Sequence, residues 1–294
     1  MRALRFTALV LLAATAATTA KAQTCPALFA GGQVPVLVNA KLTERTTALC
    51  FEAFAVLHSG VTRTPLYSAE HLTRESIAAA RAVARDDTFH EETRLPPEGR
   101  ARLEDYVRSG FDRGHLAPAA DMPTLSAQAE SFSLANIVPQ DRAMNRGIWS
   151  DIEESTRRFA MRRGSVYVVT GVVFAGESLR EIGAGVLVPT QLYKALYDPA
   201  TGQAGAYLVP NAAGREWKSL SLDELRTATG VDVFPALPPA AKASAMTLPD
   251  PQSGGRGEAR RPDGSQDQAW RDWLWRETMR AVRKAIRELL REIF

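Results

Sequence analysis

Runs of apolar residues divide most of the chain into predicted strands and helices. Residues 48–58, ALCFEAFAVLH, and 166–173, VYVVTGVV, are rich in aromatic and branched side chains and predict buried strands. Further strands are predicted at 186–189, 192–197 and 206–210. Apolar positions at helical spacing predict helices over 146–162 and 221–228, the second capped by Ser221. These elements together predict one α+β domain over residues 23–235.

The N-terminal stretch differs from the rest of the chain. Arg2 and Arg5 precede an apolar run over residues 6–17, and small residues before position 23 fit a cleavage site. We expect residues 1–22 to be a secretory signal peptide, with a retained N-terminal anchor as the alternative. The run is too short for a comfortable membrane span, so no transmembrane segment is predicted. The signal peptide implies export to the periplasm or to the extracellular space.

The net charge gives little general attraction to nucleic acid. The chain has 36 basic and 33 acidic residues, a formal charge of +3. Arg2, Arg5 and Lys21 lie in the predicted signal peptide, and removing their three charges leaves a net charge of zero. A nucleic-acid substrate must therefore be held by a local basic patch and a metal ion.

Two cysteines, Cys25 and Cys50, are the only ones in the chain. An even number in an oxidising compartment predicts a disulfide bond between them. Two reduced, buried cysteines are the alternative, which export makes the weaker one.

A change of composition marks the end of the predicted domain. Residues 236–266 are rich in Pro, Ala, Ser and Gly and predict a flexible linker. Residues 267–294 carry apolar side chains at helical spacing, with seven basic and five acidic residues, and predict an amphipathic helix. This helix is expected either to fold back on its own domain or to act in self-association, partner binding or membrane docking. Its mixed charge makes the membrane the weakest of these.

One short segment combines an acid, a cation and a base around a glycine. It reads Asp112-Arg113-Gly114-His115. In a strand, Arg113 and His115 point to one face and Asp112 to the other. A base and a cation at one face suit phosphodiester hydrolysis, because a water must be activated and negative charge must be stabilised. A surface Asp–Arg pair with a bystander histidine is the alternative.

A second polar row lies on the predicted helix that follows. Asn145, Trp149, Glu153 and Arg157 recur every four residues along one side. An amide oxygen, a carboxylate and a guanidinium in that row fit a hydrated hard cation with a phosphate beside it. For this helix in isolation, a Glu153–Arg157 surface salt bridge with a core tryptophan is the favoured alternative.

Together the two segments resemble the sugar-non-specific DNA/RNA endonucleases, the ββα-metal nucleases that include secreted bacterial nucleases and mitochondrial endonuclease G. The family's DRGH signature stands at residues 112–115. Its downstream pattern stands at Asn136, Pro139, Gln140, Asn145, Trp149 and Glu153. The resemblance covers roughly residues 48–235. It implies an α+β, ββα-metal nuclease fold with a central mixed or antiparallel sheet flanked by helices, to which residues 267–294 add a C-terminal amphipathic helix.

The resemblance also implies a metal site. Asn145 would be the direct protein ligand of a divalent ion, Mg²⁺ in the first place and Mn²⁺ as the alternative. Glu153 would hold metal-bound waters. Mg²⁺ keeps several waters readily, which suits a site with one protein ligand.

The same resemblance implies roles for the remaining polar residues. His115 would be the general base that takes a proton from the attacking water, and Arg113 and Arg157 would stabilise phosphate charge. Asp112 would orient the loop or a metal-bound water. The expected protein is a secreted endonuclease that cuts DNA and RNA without sequence preference and leaves 5′-phosphate ends.

Two other functions remain open at this point. One is a nucleic-acid-binding protein that keeps the fold without catalysis, and the other is a histidine-dependent phosphodiesterase acting on small esters. The sequence contains no HExxH, CxxC or GxSxG motif, so zinc-protease and serine-hydrolase chemistry have no support.

Overall fold

A computed structural model describes residues 25–176 and 178–251 of the chain. The predicted signal peptide (residues 1–22), the second half of the predicted linker and the predicted helix over 267–294 lie outside the described residues. In the part that is described, no helix is long and apolar enough to cross a membrane.

The strands are β1 (Val36–Leu37), β2 (Thr46–Cys50), β3 (Phe54–Ser59), β4 (Thr64–Thr73), β5 (Asp112–His115), β6 (Ile137–Gln140), β7 (Ser165–Val173), β8 (Glu181–Ile182), β9 (Val186–Leu187), β10 (Gln191–Asp198), β11 (Gln203–Pro210), β12 (Lys218–Leu220) and β13 (Val231–Asp232). The helices are α1 (Arg74–Ala80), α2 (Leu125–Ser131), α3 (Arg142–Met144), α4 (Ser150–Arg163), α5 (Leu222–Thr229) and α6 (Pro239–Ala243). A π-helical turn, Asn145–Trp149, joins α3 to α4.

Seven strands form the central sheet, in the order β12-β11-β10-β7-β4-β3-β2. Every neighbouring pair is antiparallel. Three two-stranded sheets, β1 with β13, β5 with β6 and β8 with β9, lie outside it. The α+β class and the antiparallel form of the predicted sheet are therefore confirmed.

The sheet separates two apolar cores. On one face Tyr193, Ala195 and Val169 pack with α5, whose Leu222 and Leu225 are buried. On the other face the cluster contains apolar residues of α1, the π-helical turn and α4, among them Ile77, Trp149, Ile152 and Ala160. The second face carries the motif residues, because the turn and α4 follow directly on the β5–β6 pair in the chain.

The apolar run at 48–58 forms two strands instead of the single one predicted. β2 and β3 are joined by a tight turn in which the Phe51 N–H donates to the Phe54 carbonyl over 2.9 Å. The two rings stack with centroids 4.4 Å apart. Glu52 at the turn donates its backbone N–H to the Glu130 carboxylate. The residues on both sides of the turn are apolar, so the pattern of hydrophobicity alone did not predict the turn.

The domain continues beyond the predicted boundary at residue 235. Met246 and Leu248 are buried in the core on the α4 face. The Tyr207 hydroxyl donates to the Pro249 carbonyl. Isolated apolar side chains therefore hold the first half of the predicted linker against the domain. The average composition of the linker, rich in Pro and Ala, did not indicate these contacts.

Candidate active site

The DRGH segment forms β5, and its partner β6 explains the glycine. Asp112 pairs with Gln140 and His115 with Ile137 in an antiparallel register. A Cβ at Gly114 would lie 2.1–2.4 Å from the Gln140 side chain, so any larger residue would force this buried side chain to move. The Asn136 side chain closes the end of this pair, accepting from the Ala117 N–H over 3.0 Å and donating to its carbonyl over 2.8 Å. The motif is thus held as a strand whose side chains alternate.

One face of β5 presents His115 and Arg113, as predicted. The His115 ring lies 4.8 Å from Phe132 and 5.5 Å from Phe89, measured between centroids. The Arg113 guanidinium lies 5.0 Å from the Phe89 ring centre. Burial, together with the positive charge of nearby Arg85, lowers the pKa of His115 to about 3. The imidazole is therefore neutral at physiological pH, and its Nε2 is buried without a hydrogen-bond partner in the described structure.

The opposite face of β5 presents Asp112 to the π-helical turn. The carboxylate accepts hydrogen bonds from Asn145 Nδ2 at 3.2 Å, Arg146 Nε at 2.8 Å and Arg142 Nε at 3.2 Å. Although burial opposes it, these donors hold the pKa of Asp112 below its usual value, Arg146 most strongly. Because Asn145 gives its amide nitrogen to this carboxylate, the amide oxygen is left as its free ligand atom.

The helix predicted over 146–162 is present from Ser150 onward as α4, and its predicted first turn is part of the π-helical turn that Asn145 begins. Gly147 has φ −108° and ψ −110°, outside the helical region, and the π-helical turn lies around it. Such turns are frequent at functional sites, since they displace side chains from regular helical spacing. Trp149 is fully buried and Lys194 Nζ lies 5.6 Å from its ring centre. Trp149 is therefore a core residue, as the alternative interpretation stated.

Glu153 and Arg157 do not form the salt bridge considered from the sequence. Arg157 pairs instead with Asp121 at 2.9 Å and with Glu154 at 3.0 Å. Burial raises the pKa of Glu153 to about 7, against the influence of Lys194 and Arg157. Glu153 thus lies in a partly buried environment with charged neighbours, where a bound cation would compensate the negative charge of its carboxylate.

Sequence analysis missed two buried charged residues beside Glu153. Glu70 on β4 is fully buried and both of its carboxylate oxygens lack a partner in the described structure. Burial raises its pKa well above the usual range, and Asp121 adds to this. Lys194 on β10 is also buried and donates to Thr170 Oγ1 at 2.6 Å. Lys194 lies in the run 192–197 that predicted only a strand, and no motif around Glu70 indicated a function.

Arg85 is a further site residue that the motifs did not indicate. Its guanidinium lies 5.5 Å from the Phe132 ring centre, next to His115. Its positive charge lowers the pKa of both His115 and Glu153. Its ion pair with Asp87 at 2.5 Å is exposed on both sides and therefore weak. The only local signal was a run of charged residues in a loop.

The donor atoms present fit a hydrated, oxygen-bound cation. Among the described residues, no group of three or more His, Cys, Asp or Glu side chains could hold a metal ion. The free Asn145 oxygen and the Glu153 carboxylate supply hard oxygen donors, which suit Mg²⁺ with several waters. A zinc site, which needs a closed set of nitrogen and sulfur ligands, is not supported by this arrangement.

The profile of the DNA/RNA non-specific endonuclease family matches residues 36–240. The chain belongs to this family. The family resemblance inferred from the DRGH segment and its downstream block is therefore confirmed, and so is the fold class that it implies.

Several relatives support the family assignment. Nuclease EXOG, mitochondrial, of Homo sapiens is 34% identical over 214 residues, which cover 65% of this chain and 58% of that protein. The Saccharomyces cerevisiae mitochondrial nuclease is 31% identical over 218 residues, which cover 65% of this chain and 66% of that protein. A crystal structure of the EndoG/EndoGI complex aligns with a TM-score of 0.56 and 26% identity, covering 63% of this chain and 84% of that one. The chain thus spans about 58–66% of the length of the two curated relatives.

The expected export of this endonuclease-family protein is wrong. The relatives from yeast, human, zebrafish, worm and fission yeast are named mitochondrial nucleases, which contradicts a periplasmic or extracellular location. The reason lies in the leader composition. Arg2, Arg5 and the lack of acidic residues over positions 1–22 are shared by secretory and mitochondrial leaders, so this pattern could not separate them.

The predicted disulfide is present. Cys25 and Cys50 are bonded, and they tie the start of the described chain to the end of β2. The described part of the chain contains no free cysteine.

Proposed function

We propose that this protein hydrolyses phosphodiester bonds in both DNA and RNA without reading base sequence, using His115 as general base and one divalent cation. The observation that best supports this function is that the two faces of β5 present different groups. One face presents a neutral histidine among arginines, and the other fixes the orientation of Asn145 through Asp112. The proposal extends family membership to an activity of this chain.

His115 is suited to take a proton from an attacking water. Its pKa of about 3 keeps the ring neutral, so Nε2 has a lone pair to accept the proton. Phe89 and Phe132 hold the ring from two sides, which limits its rotation. A low pKa also makes His115 a weak base, so the negative charge of an approaching phosphate must raise that pKa during the reaction.

Asn145 would hold the cation directly and Glu153 would hold it through water. Asp112 keeps the Asn145 nitrogen on its own side, so that the amide oxygen serves as the ligand. When bound, Mg²⁺, or Mn²⁺ in its place, supplies positive charge that stabilises the leaving 3′-oxygen, which gives 5′-phosphate products. The negative charge of Asp121, which raises the pKa of Glu153, favours a cation nearby.

Arg85 and Arg113 are the residues best placed to stabilise phosphate charge. Both lie beside the aromatic rings that hold His115. Arg113 Nε is buried without a partner in the described structure, so it can donate to an incoming oxygen. Arg157 is neutralised by Asp121 and Glu154. We assign Arg157 a supporting contribution, holding those carboxylates in place beside the phosphate.

Contacts to phosphate alone explain activity on both nucleic acids. A site that grips the backbone reads neither base edges nor the 2′-hydroxyl, so DNA and RNA are equivalent to it. No aromatic platform for stacking bases is needed for this function.

Digestion of supercoiled plasmid and of a structured RNA, each with and without EDTA, tests the proposal. We expect both polymers to be cut, and both reactions to stop with EDTA. His115→Ala should lower the rate by roughly 10²- to 10⁴-fold, the usual contribution of a general base. Activity that persists in EDTA would refute the metal mechanism, and a His115→Ala variant retaining a tenth of wild-type activity would remove His115 from the reaction.

A further inference from the structure

A pocket beside the proposed catalytic residues is not accounted for by the reaction itself. It has a volume of about 260 Å³ and lies between the end of α1, the loop that carries Arg85, and the middle of α4. Its lining consists of Ala80, Arg81, Val83, Arg85, Ala119, Ala120, Gln128, Glu154 and Arg157. One of these residues, Arg85, lies 5.5 Å from the centre of the Phe132 ring, and that ring packs 4.8 Å from His115, so the pocket adjoins the site where the scissile phosphate would bind.

The charge of the lining favours an anion. Three arginines face the pocket against one glutamate, and Arg157 already neutralises that glutamate at 3.0 Å. Arg81 is exposed, and among the described residues no carboxylate forms an ion pair with it. Arg81 is thus the cation of the pocket that is most free to bind an incoming anion.

The shape and composition of the lining favour a sugar-phosphate backbone over a base. Binding sites for drug-sized molecules usually measure about 300–1,000 Å³, and this pocket is smaller. Its remaining walls are alanine and valine side chains, and no aromatic ring lines it. Proteins that hold bases of single strands use aromatic stacking, which is missing from this lining. Gln128 accepts the Asp86 N–H with its amide oxygen over 2.9 Å, so its amide nitrogen points elsewhere and can donate.

We propose that this pocket is a subsite for a backbone phosphate next to the scissile one, with Arg81 as its main contact and Gln128 as a second donor. The inference rests on the proposed function, since it names how the same site holds a polymer. It distinguishes polymer substrates from single diesters. A dinucleotide offers one phosphate to the catalytic residues, whereas an oligonucleotide offers a second one to Arg81.

The test compares Arg81→Gln with Arg74→Gln. Each variant removes one exposed positive charge, from Arg74 at the start of α1 or from Arg81 directly after its end, but Arg74 does not line the pocket. The substrates are the dinucleotide TpT and the dodecamer dT12. We expect Arg81→Gln to reduce the advantage of dT12 over TpT in kcat/KM by about three- to fivefold, the range of one solvent-exposed charge contact. Arg74→Gln should leave that ratio as in the wild type, and Arg81→Lys should restore part of it.

Binding measured without turnover separates the subsite from the activity. Fluorescein-labelled dT12 is titrated in EDTA by anisotropy at several salt concentrations. Arg81→Gln should weaken binding about three- to fivefold and lower the slope of log K against log salt by about one, relative to Arg74→Gln. Equal effects of the two variants, or an equal loss of kcat/KM on TpT and dT12, would overturn the subsite. A wild-type protein that binds dT12 through Arg81 and cuts nothing would instead refute the proposed function alone.

Discussion

Asp112 allows a sharp test of how the metal ligand is positioned. We expect Asp112→Asn to raise the Mg²⁺ concentration for half-maximal activity by about 10- to 100-fold, the usual effect of removing a group that orients a metal ligand. The maximal rate at saturating Mg²⁺ should change much less. The reason is that Asp112 touches Asn145 and two arginines, and none of the residues that we assign to proton transfer.

The structure gives the magnitude. The Asp112 side chain is 12% exposed, whereas Arg142 and Arg146 are 65% and 67% exposed. Ion pairs with such exposed arginines contribute less than about 1 kcal/mol each. The hydrogen bond from Asn145 to a shielded carboxylate is worth about 1.5–3 kcal/mol. Orientation of Asn145 therefore accounts for most of the expected loss, and each 1.4 kcal/mol corresponds to about a tenfold change in affinity.

Arg146→Gln is the matched control, since it removes the strongest ion pair of Asp112 and leaves the Asn145 contact in place. It should shift the Mg²⁺ dependence by less than about threefold. Plasmid nicking measured over a Mg²⁺ series, with thermal unfolding to confirm the fold, provides both numbers. If the two variants shift the Mg²⁺ dependence equally, Asp112 acts only through charge and the orientation argument fails.

Three further predictions follow from burial and connectivity. Burial lowers the pKa of His115 to about 3, so its contribution to stability is complete above pH 6.5 and is lost as the pH falls toward 3. Urea unfolding in EDTA between pH 7.5 and 4.5 should therefore show His115→Gln losing about 3 kcal/mol less stability than the wild type. Identical losses would contradict this. Removing residues 236–294 should lower the Tm far more than removing residues 252–294, because Met246 and Leu248 are buried in the core. Equal Tm values by calorimetry would show that these two residues do not stabilise the domain. Replacing both cysteines by serine should reduce the free energy of unfolding by about 3 kcal/mol and leave kcat unchanged; a drop in kcat at a temperature where the variant is folded would place the bond in the site.

Local signals in the sequence predicted the elements whose determinants are themselves local. Ser221 and Glu224 form the reciprocal cap of α5, as the spacing of the two residues indicated. The alternation in β5 correctly separated Asp112 from His115, since strand geometry has a period of two. The disulfide followed from a count of two cysteines.

The missing parts of the site depend on contacts between distant segments. Glu70 and Lys194 lie on strands β4 and β10, and only the sheet order brings both near Glu153. Arg85 reaches His115 from a loop whose path no periodicity predicts. The helix predicted over 146–162 is confirmed from Ser150 onward, whereas periodicity did not predict the π-helical turn around Gly147 that precedes it. Residues of this kind require the assembled fold.

The two polar ends of β5 have lowered pKa values for opposite reasons, and this difference explains why the motif needs its spacing. Donors from Arg146, Asn145 and Arg142 stabilise the charged form of Asp112, which therefore stays an anion and orients an amide. Burial destabilises the charged form of His115, which therefore stays neutral and can accept a proton. Three residues of separation place the two groups on opposite faces of the strand, one toward the π-helical turn and one toward Phe132. A shift of one residue along the strand would exchange the two faces. His115 would then face the arginines that now surround Asp112, and Asp112 would face the apolar surroundings of His115. Both groups would lose the protonation state that the proposed reaction needs.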